Sequence, residues 1–116
     1  MTALVVEKKT LLESLDNDAQ LLKEVIAIFL ADYPGRMSEL RAAVIVRNPD
    51  TIASGSHSLR GSVGTFGARA AVEAAQKLES MGRHGNMGGV DDAFSVLERE
   101  MALVVSALEQ IAKDAL

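Results

Sequence analysis

The stretch VDDAFSVLEREMALVVSALEQI, residues 90–111, decides the fold. Phe94, Leu97, Met101, Val104, Leu108 and Ile111 recur in it at alternating steps of three and four, the spacing of a helix packed lengthwise in a bundle. Asp91 and Asp92 suit its first turn, where carboxylates meet the positive end of the helix dipole. Upstream, Leu22, Ile26, Phe29, Tyr33, Met37, Leu40 and Val44 form a second stripe at steps of four or three. Asn17 followed three residues later by Gln20 resembles a capping box at its start. Pro34 falls inside this segment and should remove a hydrogen bond and bend the helix, yet the stripe keeps its phase across it. One kinked helix over residues 18–46 is therefore expected.

Working outward, Asn48-Pro49-Asp50 reads as an N-cap, a proline at the first helical position and an acid in the first turn. A helix from there to Phe66, ended by Gly67, follows. Residues Ala68 to Arg83 place Ala71, Val72, Ala75 and Leu78 on one face of a further amphipathic helix. The run Gly82-Arg83-His84-Gly85-Asn86-Met87-Gly88-Gly89 reads as a flexible connection. Thr10 to Leu15 can form a short first helix presenting Leu11, Leu12 and Leu15, after a loose lead-in over residues 1–6. No segment alternates as a strand does, and there is no internal repeat. The expected architecture is all-α, an antiparallel up-and-down four-helix bundle with a short extra N-terminal helix.

At 116 residues and 48% apolar content the chain can bury one core, so a single domain over residues 1–116 is expected. A net charge of −4 disfavours an electrostatic grip on nucleic acid or anionic lipid, leaving protein partners or small molecules. Without cysteine there is no disulfide framework or thiolate metal site. The longest apolar run, Val25 to Ala31, is far too short to span a membrane, and the N-terminus lacks the pattern of a signal peptide. A cytoplasmic monomer is the expectation.

The helix beginning at Pro49 carries the functional information. On a helical projection Ile52, Leu59, Val63 and Phe66 share the side that must face the core, and His57 points the other way. Sharing its exposed face are Asp50, Ala53, Ser54, Arg60, Gly61 and Gly64, mostly the smallest side chains available. Gly55, Gly61 and Gly64 each cost a helix roughly 1 kcal/mol relative to alanine, so something besides helix stability is served. From Thr51 to Val72 there is no Asp or Glu, while Arg60 and Arg69 are present, a local balance that favours an anion. An imidazole at its ordinary pKa of about 6.5 offers an unprotonated, nucleophilic ring nitrogen near neutral pH. Arg60, one helical turn away, can neutralise a phosphoryl group placed there, and Gly61 and Gly64 leave room for another protein's active site. A lone exposed histidine is ordinarily just a surface residue; the glycine-lined face and missing carboxylates set this one apart. His84, in the glycine-rich connection, reads as a solvated loop residue.

The stretch Ser56-His57-Ser58-Leu59-Arg60-Gly61-Ser62-Val63-Gly64-Thr65-Phe66-Gly67-Ala68, continuing to Leu78-Glu79, resembles the signature of the histidine-containing phosphotransfer (HPt) family. Phe29-Leu30-Ala31-Asp32-Tyr33-Pro34-Gly35-Arg36-Met37, with Leu40-Arg41-Ala42-Ala43 after it, looks like the helix preceding the phosphorylated one in many members. The resemblance implies a four-helix bundle without a nucleotide site, whose exposed histidine takes a phosphoryl group from one receiver domain's aspartyl phosphate and passes it to the aspartate of another. By position His57 would be the phosphoacceptor, Arg60 the basic residue and Gly61 the access glycine, with Ser54 and Gly64 on the docking face. Glu79 occupies the place of a polar side chain that orients the histidine; glutamine is commoner there, and a carboxylate beside phosphohistidine would repel it. The alanine that frequently precedes the histidine is Ser56 here, a small-for-small exchange expected to be silent. Partners implied are response-regulator receiver domains and a hybrid sensor histidine kinase, of which such a module can itself be part. No cofactor is implied for this chain, Mg²⁺ being supplied by the receiver.

Other classes fit less well. The alternative is a docking bundle whose glycine-flanked face binds a partner helix or receiver without phosphoryl chemistry; acid-labile, alkali-stable label on His57 would exclude it. A metal or haem bundle would want a Glu-x-x-His pair, a Cys-x-x-Cys-His motif or more than two histidines. An independent enzyme would want a phosphate-binding Gly-Lys loop or a carboxylate pair, and neither occurs.

Overall fold

The structure, a computed structural model, describes residues 5–114. Five helices follow in order: α1 Lys8–Ser14, α2 Ala19–Ile45, α3 Pro49–Thr65, α4 Arg69–Arg83 and α5 Val90–Asp114. The four long ones are joined by short connections. Each packs on its neighbour in sequence, and α5 closes back on α2, which makes the expected up-and-down bundle; α1 leans on α2. The core is one layer of aliphatic side chains running the length of the bundle, including Leu22, Ile26, Leu40, Ile52, Leu59, Leu78, Leu97, Met101 and Leu108.

Local chemistry sets the helix ends. The Asn48 side chain accepts from the Thr51 amide at 3.2 Å, with Pro49 next, so α3 starts where the sequence places it. Helix α2 is instead capped by Asp18, whose carboxylate accepts from the Leu21 amide at 3.0 Å. The expected Asn17–Gln20 capping box does not form: Asn17 sits at φ 60° in the tight turn that leads into the helix, one residue too early to cap it. Pro34 lies within a single continuous α2, as expected. Val6 joins the core, so the lead-in is anchored at its end; residues 1–4 lie outside the described part.

Across elements, Arg41 of α2 pairs with Glu98 of α5 and stacks 5.5 Å over the Phe94 ring, while Arg47 after α2 bonds Asp91 at the start of α5 at 2.5 Å. These contacts join the two longest helices at positions that no local pattern links.

The contact that positions the site lies between α3 and α4. The buried face of α4 is built from Ala71, Ala74, Ala75, Leu78, Glu79 and Gly82, and its alanines and glycine let two backbones approach closely. At Gly82 the approach is closest: a β-carbon there would lie 2.7 Å from the Ala53 amide nitrogen and 2.7 Å from the Pro49 carbonyl oxygen. Gly82 and Arg83, which the sequence placed both at the end of this helix and at the start of the flexible run, belong to α4, and the chain leaves the helix only at His84. Because both atoms facing Gly82 are backbone, neither can swing aside. Gly82→Ala is expected to destabilise the bundle by about 1–3 kcal/mol, the usual cost of overpacking, with urea denaturation followed by circular dichroism as the check; an unchanged midpoint would refute this packing.

Candidate functional site

Helix α3 turns Ile52, Leu59 and Val63 inward, with Phe66 at its C-cap also buried, and this sets the opposite face outward. His57 stands on that outward face with its side chain 58% exposed. Its surroundings are as bare as the sequence suggests on one side: a β-carbon at Gly61 would meet nothing within 4 Å, and at Gly64 only Val72, at 3.9 Å. Gly55 serves packing instead, since a β-carbon there would lie 3.4 Å from the Leu40 side chain across the α2–α3 seam.

On its other side His57 meets α4. Glu79 rises from α4 with its side chain only 5% exposed, and its Oε2 lies 3.0 Å from His57 Nδ1. Arg60 Nη2 also lies 3.0 Å from Nδ1, and Arg60 Nε is 3.1 Å from Glu79 Oε1. The latter is an ion pair whose N–H is not aimed at the oxygen, so Oε1 accepts no hydrogen bond. Arg83, one turn beyond Glu79, donates to Oε2 at 2.5 Å. A guanidinium only donates and a carboxylate only accepts, so Nδ1 can satisfy one of its two neighbours. The desolvated carboxylate makes the stronger demand. With the proton on Nδ1 and donated to Glu79, Nε2 is the nitrogen that keeps the free lone pair. Nε2 has no protein partner among the described residues.

The structure thus brings His57, Arg60 and Glu79 together and places Gly61 beside them on the open face. Glu79 makes direct contact, a stronger placement than its carboxylate suggested from sequence. Ser54 does not join them; its hydroxyl donates to the Thr51 carbonyl at 3.3 Å on the exposed face a turn earlier. Gly64 lies a turn beyond Gly61, leaving the face open without touching the histidine. The local shortage of carboxylates along α3 is real but incomplete, because α4 supplies one from the side. Arg83 escaped the sequence reading, although its place four residues after Glu79 is a legible ion-pair spacing. Arg60, Gln76, Glu79, Ser80, Arg83 and His84 together line a shallow depression of about 250 Å³ next to the imidazole. His84 at its edge is exposed and serves the helix end, its Nδ1 lying 2.8 Å from the Ser80 carbonyl oxygen. No cluster of metal-ligating side chains occurs among the described residues.

The site is thus an exposed imidazole, held against a buried carboxylate and flanked by a guanidinium, on an open helical face. The Hpt domain family model matches residues 24–112, and the chain belongs to that family, whose function is histidine phosphotransfer in phosphorelay signalling. Such domains are phosphotransfer intermediates that work with receiver domains and kinases. The fold is similar to the crystal structure of histidine-containing phosphotransfer protein B from Pseudomonas aeruginosa PAO1, with a TM-score of 0.87 and 20% identity over 97% of this chain and 98% of that one. Comparison with curated protein sequences gives no match.

Ser56, expected to be silent, is fully buried, and its hydroxyl has no hydrogen-bond partner. It fills the core-facing position between Ile52 and Leu59, four residues after the first and three before the second. An unpaired buried hydroxyl carries an uncompensated desolvation cost, so Ser56→Ala is expected to stabilise the fold by about 1 kcal/mol. A raised urea midpoint with unchanged phosphotransfer would bear this out, and a lowered one would show that the hydroxyl has found a partner.

Proposed function

We propose that His57 is the phosphoacceptor and that Nε2 is the nitrogen that carries the phosphoryl group. The observation behind this reading is the exposed imidazole whose Nδ1 is taken by Glu79 at 3.0 Å, leaving the other nitrogen unengaged among the described residues. The Nε2 lone pair attacks the phosphorus of a receiver's aspartyl phosphate. The N–P bond forms as the P–O bond breaks, and the aspartate carboxylate departs with the electron pair. Transfer to a second receiver is the same displacement in reverse. Arg60 sits close enough to swing onto the phosphoryl oxygens, and Gly61 leaves the approach unobstructed.

Little more is required of this chain. The receiver supplies Mg²⁺ and most of the charge stabilisation, while the bundle supplies a positioned nucleophile and one mobile cation. We take the partners to be response-regulator receiver domains and a hybrid sensor histidine kinase, with the bundle acting as a monomer in the cytoplasm. No described helix is long and apolar enough to cross a membrane, and the net charge of −4 gives no basis for nucleic-acid binding.

Because the side chain is exposed, His57→Gln should leave stability within about 0.5 kcal/mol of the parent while taking no label from a phosphorylated receiver. Normal labelling of that variant would overturn the assignment, and a parent protein that binds the receiver yet takes no label would indicate a docking bundle. Arg60→Ala should fold normally and lower the transfer rate by about tenfold or more, the scale of losing one charge-stabilising donor. An unchanged rate and phosphohistidine lifetime would remove Arg60 from the site.

A further inference from the structure

A carboxylate beside a phosphohistidine poses an electrostatic problem. Glu79 is nearly fully desolvated, it touches the imidazole, and a phosphoryl group on that ring would bring further negative charge within a few ångströms. If Arg60 were its sole counter-ion, that guanidinium would be committed to Glu79 and unavailable to the phosphoryl group. The arrangement around Glu79 divides the work differently. Arg83 donates to Oε2 at 2.5 Å from the same helix, whereas Arg60 lies 3.1 Å from Oε1 without a hydrogen bond to it.

We propose that Arg83 is a positioning residue: its ion pair with Glu79 makes the carboxylate serve as a charge-neutral acceptor for the His57 Nδ1–H, and so releases Arg60 for the phosphoryl group. The Glu79–Arg83 pair then does the work of a single uncharged amide. With two guanidiniums around one carboxylate the site keeps one net positive charge, and without Arg83 it keeps none. Arg83 is itself 62% exposed, so little fold stability rests on it; what it controls is the state of a buried neighbour. Its place four residues after Glu79 on one helix keeps the pair assembled whether or not a receiver is docked.

The inference rests on phosphoryl transfer through His57, and a double-mutant cycle separates the two. The parent, Arg83→Ala, Glu79→Gln and the double variant are compared for the rate of transfer from a ³²P-labelled receiver domain and for His57 ring ¹⁵N shifts. Arg83→Ala should slow transfer by about tenfold in the parent and by less than about twofold in the Glu79→Gln background, a coupling of the size found between contacting groups. Arg83→Lys should restore most of the rate. In the ¹⁵N spectra Arg83→Ala should perturb the Nδ1–H tautomer of the parent and leave the Glu79→Gln protein unmoved. An equal loss of rate in both backgrounds would overturn the proposal, because Arg83 would then act directly on the phosphoryl group or the receiver. No loss in either would also overturn it. Should the parent take no label at all, the phosphotransfer reading of His57 fails, while the ¹⁵N comparison still decides whether Arg83 acts through Glu79.

Discussion

Where Gly82 crosses α3, the two helix backbones approach too closely to admit a methyl group, and the contact between Glu79 and His57 rests on that approach. A side chain on α4 can reach a histidine on the outward face of α3 only if the helices lie unusually near. Alanine and glycine on α4 make that possible. Glu79, one turn before the closest point, is thereby drawn into the seam with its carboxylate against His57 Nδ1. A leucine in place of Gly82 or Ala75 would push the helices apart and leave the imidazole free to rotate.

On the proposed reading, orientation is the main thing the protein contributes to the reaction. An exposed histidine on an isolated helix samples several rotamers and both tautomers. Tying Nδ1 to a buried acceptor selects one of each and turns the opposite nitrogen toward a visiting partner. The glycines then keep the surface around that nitrogen low. This chain meets both needs, orientation from one flank and access from the other, on the two sides of a single helix.

Much of this was legible in the sequence because it is local. The cap at Asn48-Pro49, the three-and-four stripe of α5, the inward set Ile52, Leu59 and Val63, and hence the outward direction of His57 all follow from periodicity and end chemistry. What escaped was either a shift of one residue or a contact between elements. Asp18 rather than Asn17 caps α2 because only the residue immediately before the first turn can reach its amides. Gly82 and Arg83 fell both within the expected helix and within the glycine-rich run, because glycine looks like a breaker until a second backbone is found lying against it. Ser56 could have been placed in the core from its position between Ile52 and Leu59, but its small polar side chain hid the stripe. The family resemblance pointed to Glu79 and the i,i+4 spacing to its pair with Arg83, but no local rule could show that the carboxylate would be buried and would meet Arg60 from α3 as well.

The central claim is that the imidazole is tied through Nδ1 and reacts through Nε2. Phosphorylating the protein with its receiver and recording two-bond ¹H–¹⁵N correlations with ¹⁵N–³¹P coupling on the His57 ring tests this directly. The account predicts a phosphoryl group bonded to Nε2 and a proton retained on Nδ1. A phosphoryl group found on Nδ1 would contradict it, because that nitrogen could then not be held by Glu79.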